Sequence, residues 1–462
     1  MSLARNLIRR GFRGGSPREH HWPVSATDAA VAKPLAGARE SIVRERERPL
    51  VLAGAWLLSS ATLLSGLFAY VFHVAAARLL GPTDYGLVAV LWAVMFTGVV
   101  VLFRPLEQTT MRTVADRLSR GEETATVIRS VTLIYLGTTA AVGVGIAIAW
   151  EPLRDRLFLG DGTFVLALAI GIAAYGVQYV VRGACGGVRW FKGYGMSLLG
   201  DGFVRLAVLA PVVVVASRDI AAAACAAAAV GGIILPAVLG RRRLAPLVVR
   251  HGLGATFHFR SALAFAAPAA AIAAADQILV NGGPVLVMLS GVDDAGKVAG
   301  VVFAATMIVR IPVFVFQGFA ASMLPNLTLL QAHDASLVRR AIGRTVLMFC
   351  GAAVAITAAV AVAGPAAMRI VYGPDYAVGR LPLALLGIGV GGYLATAALS
   401  QALLALDRGR TTAIVWCVSA AAFLGLYLVL PGSQLTRIAG GFAAATMLSF
   451  AALATILGRR AA

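Results

Sequence analysis

Twelve apolar stretches, most of them about as long as a membrane crossing, succeed one another between residues 50 and 457. A helix of about 20 apolar residues spans a hydrocarbon core of ~30 Å, and only helices or closed barrels satisfy their backbone groups there. The stretches are 50–79, 85–103, 125–150, 163–181, 198–216, 220–239, 257–289, 298–324, 345–363, 381–406, 411–430 and 438–457. None alternates with the period of two that a β-barrel strand needs. Only 13% of the residues are charged and 59% are hydrophobic, against roughly 25% charged in soluble domains. The expected fold class is therefore an all-α polytopic membrane protein of about 12 transmembrane helices.

The net charge of +19 invites a nucleic-acid reading, but the placement of the charges excludes it. Of 40 Lys and Arg residues, 10 lie in residues 1–49 and 20 more in every second loop, while the opposite loops hold eight. That asymmetry is the positive-inside pattern and puts both termini in the cytoplasm. The basic tail, 1–49, has Leu3, Leu7, Ile8 and Phe12 on one helical face among Arg5, Arg9, Arg10 and Arg13. It reads either as a disordered topology signal or as a helix lying on an anionic leaflet. Cys185, Cys225, Cys350 and Cys417 are isolated in or beside apolar segments, so they read as buried, inert thiols. Neither they nor the six histidines have the spacing of a metal site, and no cofactor is implied.

The chain is organised around the hairpin 257–325, whose two helices meet at Ser290-Gly291-Val292-Asp293-Asp294-Ala295-Gly296. The earlier turn Leu80-Gly81-Pro82-Thr83-Asp84-Tyr85-Gly86 repeats its Gly, Asp and Gly at an offset of 210 residues. Each turn follows the first helix of a six-helix half. The expectation is an N-terminal lobe at 50–240, a cytoplasmic linker at 241–256 and a C-terminal lobe at 257–458. Both halves start on the same side, so the two lobes are related by a parallel pseudo-twofold repeat along the membrane normal.

Ionisable groups at membrane depth cost about 2.5–3.5 kcal/mol each on insertion scales, so they face a cavity or a partner. Arg310 reads either as a cavity cation for an anionic substrate or as the ion-pair partner of Asp276 on the neighbouring helix. Asp276, followed by Gln277 and Asn281, is also open as a proton or cation site. Arg205 either faces the cavity or pairs with Asp201 four residues earlier. Arg78 and Arg104, at helix ends, read as interfacial anchors or substrate contacts, and His73 as a cavity group or a packed core histidine. The seventh helix, about 50 Å long by its residue count, exceeds the bilayer core. Pro268, Gly282, Gly283 and Pro284 are candidate points of bending or unwinding, and Pro312 is a candidate hinge on the eighth helix.

These residues resemble a known family. Arg78-Leu79-Leu80-Gly81-Pro82-Thr83-Asp84-Tyr85-Gly86 is similar to the R-x-LG-P-x-x-YG signature of bacterial polysaccharide-export flippases, in the multidrug/oligosaccharidyl-lipid/polysaccharide (MOP) exporter superfamily. Further matches cover Phe265 to Pro268, Asp276, Gly291, Ala295-Gly296, Arg310-Ile311-Pro312 and Leu324-Pro325. Tyr372-Gly373-Pro374-Asp375-Tyr376 and Ala405 to Arg410 resemble later turns of the family. The similarity extends over roughly 50–458. One departure is Gly296-Lys297-Val298, where many relatives carry a tyrosine. The resemblance implies two lobes around a cavity that opens alternately to each side. It also implies a substrate of oligosaccharide on polyprenyl diphosphate, moved across the bacterial inner membrane for cell-surface polysaccharide synthesis. Arg offers permanently charged, fork-shaped donors for such a diphosphate. Membrane lipids and polysaccharide-synthesis enzymes are the other partners implied.

Two competing readings remain open. A drug/cation antiporter of the same superfamily favours acidic cavity groups, of which Asp276 stands nearly alone. A membrane-embedded glycosyltransferase or ligase needs metal-binding acids or a large outer loop, and the paired acid Asp293-Asp294 sits in a tight turn.

Overall fold

The computed structural model describes residues 26–247, 259–310, 335–405 and 408–458. By its contacts the chain divides into the units Met1–Ala53 and Gly54–Ala462. In the first, residues 26–53 are helical. The second carries the membrane-length helices.

The helix Ala26–Ser119 is interrupted at Gly81, whose φ of 75° and ψ of 171° suit glycine and few other residues. Within the second unit, the stretches on either side of this kink are α1 (57–80) and α2 (82–119). Then come α3 (Ala125–Ile148), α4 (Gly162–Gly187), α5 (Phe191–Leu209) and α6 (Arg218–Leu239). After the linker come α7 (Phe259–Leu289), α8 (Ala295–Val309) and α9 (Ala335–Tyr372). The last three are α10 (Arg380–Ala405), α11 (Gly409–Val429) and α12 (Gln434–Gly458). There is no strand among the described residues. The expected all-helical fold of about 12 helices is what the chain forms.

Several helix ends differ from the apolar windows. α2 runs on to Ser119 and α4 to Gly187, because polar residues there are paired helix to helix rather than exposed to lipid. Arg182 of α4 grips Glu107 of α2 through two hydrogen bonds of 3.0 Å. Residues 1–25 and 248–258, which include most of the linker expected at 241–256, lie outside the described residues, as does Pro312.

In one group of helices α4 packs on α3, α5 and α6, and α5 packs on α6. In the other, α10 packs on α9 and α12, α11 on α12 and α7, and α7 on α8. Lipid supplies no hydrophobic drive between helices, so close approach of small residues matters most. A Cβ on Gly200 of α5 would meet the carbonyl of Gly231 on α6, and the converse also holds. The lipid-facing surfaces are apolar: Ile148 is 80% and Val429 81% exposed in the isolated chain.

The two groups meet at the end where α1 turns into α2. There Gly86 of α2 lies against Gly296 and Gly300 of α8, so close that a Cβ on Gly86 would collide with their backbone. A Cβ on Gly300 would likewise strike the carbonyl of Pro82. The two turns that the internal repeat pairs thus touch one another and seal this end. Gly86→Ala is expected to destabilise the fold by about 1–3 kcal/mol through overpacking. Thermal unfolding of the purified protein checks this. Gly137→Ala, where a Cβ meets nothing within 4 Å, serves as the unaffected control.

The seal is braced from the side. Arg218, at the start of α6, bridges Asp84 of the first turn and Asp161, each at 3.0 Å. Asp161 also caps α4, accepting from the Thr163 amide at 2.9 Å.

Candidate functional site

Beneath the seal, α7, α8, α10 and α12 enclose a cavity of about 130 Å³. Asp276, Gln277 and Gly283 of α7 line it, with Thr306 on α8, Arg310 just past its end, and Tyr393 on α10. The polar groups form a chain. Tyr393 donates to one Asp276 oxygen at 2.6 Å and Gln277 to the other at 2.9 Å. Asn281 in turn donates to Gln277 at 2.7 Å, leaving its own Oδ1 buried with no partner among the described residues.

Arg310 is different. It caps α8, is 9% exposed, and makes no ion pair among the described residues. Its Nη2 has no hydrogen-bond partner there; Nη1 has only the Met307 sulfur at 3.9 Å, and the Phe303 ring lies 5.6 Å away. The ion pair with Asp276 is not formed, although both groups line one cavity. Asp276 is satisfied instead by Tyr393 and Gln277, which leaves the guanidinium available.

The other sequence candidates lie elsewhere. Arg205 is buried in the first group of helices rather than on the cavity, joined to Asp201 and donating to the Tyr175 hydroxyl at 2.7 Å. Its guanidinium lies 4.5 Å from the Trp92 ring centre, a cation–π arrangement. His73 is packed among aromatics: Trp92 at 4.5 Å, Phe303 at 4.8 Å and Phe72 at 5.1 Å between ring centres. Its Nδ1 lies 3.3 Å from the Tyr85 hydroxyl. Arg78 does not point into the cavity; it donates to the carbonyls of Val371, at 2.7 Å, and of Ile370. α7 does not unwind: Pro268, Gly282, Gly283 and Pro284 lie inside a continuous helix. Pro284 falls within a helix whose neighbours pack tightly around it, with Gly283 facing Val302 and Ile438. Cys185 and Cys225 are buried, but Cys417 lies on the exposed face of α11, and Cys350 has no described side chain.

Tyr393 and the Glu107–Arg182 pair were not singled out from the sequence, and Tyr376 entered only as part of a turn motif. Tyr393 is the one hydroxyl-bearing aromatic in the apolar α10, a signal of the same kind as a buried charge. Tyr376 donates to the Ala77 carbonyl at 3.0 Å across the seal. Burial, aided by the Asp375 carboxylate, pushes its phenol well up, so it remains a protonated donor.

No family profile matches the chain. It is 27% identical over 440 residues to the uncharacterized protein Rv1510 of Mycobacterium tuberculosis, covering 93% of this chain and 94% of the relative. It is 26% identical over 383 residues to the uncharacterized protein Rv3630 of the same species, covering 82% and 86%. Among solved structures it is similar to an inward-facing multidrug resistance MATE family transporter of the MOP superfamily. That match has a TM-score of 0.69 at 13% identity, over 88% of this chain and 98% of the other. The chain has the MATE fold. The lipid II flippase MurJ, in an inward closed conformation, matches with a TM-score of 0.64 at 15% identity over 87% of each chain. An outward-facing MATE conformation matches less well, with a TM-score of 0.57 at 14% identity over 88% and 95%.

Proposed function

We propose that this chain is an alternating-access transporter that flips a polyprenyl-diphosphate-linked oligosaccharide across the bacterial inner membrane, for cell-surface polysaccharide synthesis. The observation that carries the reading is Arg310, a buried guanidinium with no anionic partner among the described residues, at the edge of the cavity. A charge held so at membrane depth is costly unless a ligand anion completes it. A diphosphate supplies that anion, and the fold shared with the lipid II flippase MurJ supports a lipid-borne substrate. The charge asymmetry supports cytoplasmic termini. The better match to an inward-facing neighbour than to an outward-facing one supports reading the sealed end as the outer end.

A cavity of about 130 Å³ holds a few waters or a small ion, since water occupies about 30 Å³ in the liquid. It is too small for a sugar headgroup. Asp276 then serves as the coupling group for a proton or small cation. Asp276→Asn preserves the shape and accepts from Tyr393 but removes the charge. Transport by that variant is expected to fall at least about tenfold and to lose its dependence on an imposed ion gradient. Flux measured in vesicles with and without the gradient checks this.

In cells lacking the protein, lipid-linked intermediates are expected to accumulate on the cytoplasmic leaflet, and the wild-type chain relieves the accumulation. Absence of such intermediates would contradict the flippase reading. The drug/cation antiporter is the second reading, favoured by Asp276 on the cavity wall and by the multidrug MATE neighbour. It predicts altered drug sensitivity with no lipid intermediate.

A further inference from the structure

The sealed end holds three side-chain hydrogen bonds, made by two residues, that cross from one group of helices to the other, each ending on the last turn of a helix. Arg78, in the last turn of α1, donates through Nε and Nη2 to the carbonyls of Val371 and Ile370 in the last turn of α9. Tyr376, just beyond α9, donates to the carbonyl of Ala77 in the last turn of α1. The final four carbonyls of a helix have no partner within it, and the helix dipole makes that end attractive to a cation. α9 stops at Gly373, with φ 111°, so its last carbonyls are bare unless a group from outside meets them.

We propose that Arg78 and Tyr376 form a reciprocal latch that holds this end of the transporter closed and must release for it to open. The latch is reversible because Arg78 is exposed. When the helices part, water replaces the carbonyls around a guanidinium that is already half solvated, so release costs far less than uncovering a buried charge. The paired glycines at Gly86, Gly296 and Gly300 let the backbones approach, and the latch then biases how long they stay together. Arg78 is thus a positioning residue for the gate rather than a substrate ligand. The proposal rests on the alternating-access reading but not on the identity of the substrate.

The test uses the full chain with its four cysteines replaced and one new cysteine at Thr306, six residues beyond Gly300 on α8 and on the cavity wall. Intact cells are treated with a charged, membrane-impermeant maleimide. A cationic contact at an exposed helix C-terminus shifts a two-state equilibrium by about two- to fivefold. Arg78→Ala is therefore expected to raise the labelling rate at Thr306→Cys by about that factor. Arg78→Lys, which keeps the charge but not the fork, gives an intermediate rise. Tyr376→Phe, which removes one hydroxyl and keeps the ring packing, gives a smaller rise of its own and guards against a misfolded arginine variant. Unchanged labelling in both Arg78→Ala and Tyr376→Phe, with the wild-type background measurably labelled, overturns the latch alone. No labelling from outside in any variant, while permeabilised cells are labelled, overturns the alternating-access reading and the latch with it.

Discussion

Replacing Arg310 by alanine is expected to abolish transport while leaving the protein as stable as wild type, or more so. The two halves of this expectation have one cause. Arg310 is 9% exposed, and its Nη2 has no partner among the described residues, so the folded chain bears the desolvation cost of the charge without a compensating anion. Removing it strands no buried carboxylate, because Asp276 keeps Tyr393 and Gln277. The thermal midpoint should therefore hold or rise. The substrate anion loses its charge-assisted donors, and truncating such a contact typically costs about 2–5 kcal/mol, or roughly 30- to several-thousand-fold in affinity. Arg310→Lys keeps a charge without the planar fork and should recover only part of the flux. A purified variant that is inactive because it is unfolded would refute this account of the residue.

Arg205 is expected to behave in the opposite way. It too is a buried arginine, 2% exposed, but it is joined to Asp201, which is 7% exposed, and to the Tyr175 hydroxyl. Removing one partner of a buried pair leaves the other uncompensated, at a cost of about 3–5 kcal/mol. Arg205→Ala or Asp201→Ala should therefore lower the yield of folded protein sharply. The double substitution Asp201→Leu with Arg205→Met replaces the pair by apolar groups, and should recover much of the loss in thermal unfolding. Transport by the stable double variant should stay measurable, because neither residue lines the cavity. The contrast between the two arginines separates a structural charge from a functional one in a single membrane preparation.

The sequence carried the helix count, because a membrane crossing leaves a long apolar signature that needs no tertiary information. It also carried the pairing of the two turns, since Gly86 and Gly296 share a position in the repeat and meet in the fold. The i,i+4 relation of Asp201 and Arg205 was legible for the same reason: both ends of the contact lie on one helix. Contacts between helices distant in sequence were not. Nothing along the chain says that Tyr393 reaches Asp276, 117 residues away, or that Arg78 reaches the carbonyls of Ile370 and Val371. The apolar window 163–181 stops just before Arg182, because hydropathy marks where the apolar run ends. It does not mark where the helix ends, and α4 continues until Glu107 has been paired. Pro268 and Pro284 suggested a broken α7, yet neighbouring helices supply the packing that keeps it continuous.

The central claim is that this chain moves a lipid-borne diphosphate by way of Arg310. Its most direct test is transbilayer movement in proteoliposomes. A fluorescent polyprenyl-diphosphate-linked saccharide is placed in both leaflets, and the fraction accessible to a membrane-impermeant quencher is followed over time after an ion gradient is imposed. Wild-type vesicles should redistribute the label toward one leaflet, whereas Arg310→Ala vesicles with the same amount of folded protein should not differ from protein-free ones. Equal redistribution by the wild type and Arg310→Ala, or none by the wild type while it exports a cationic drug, would contradict the account.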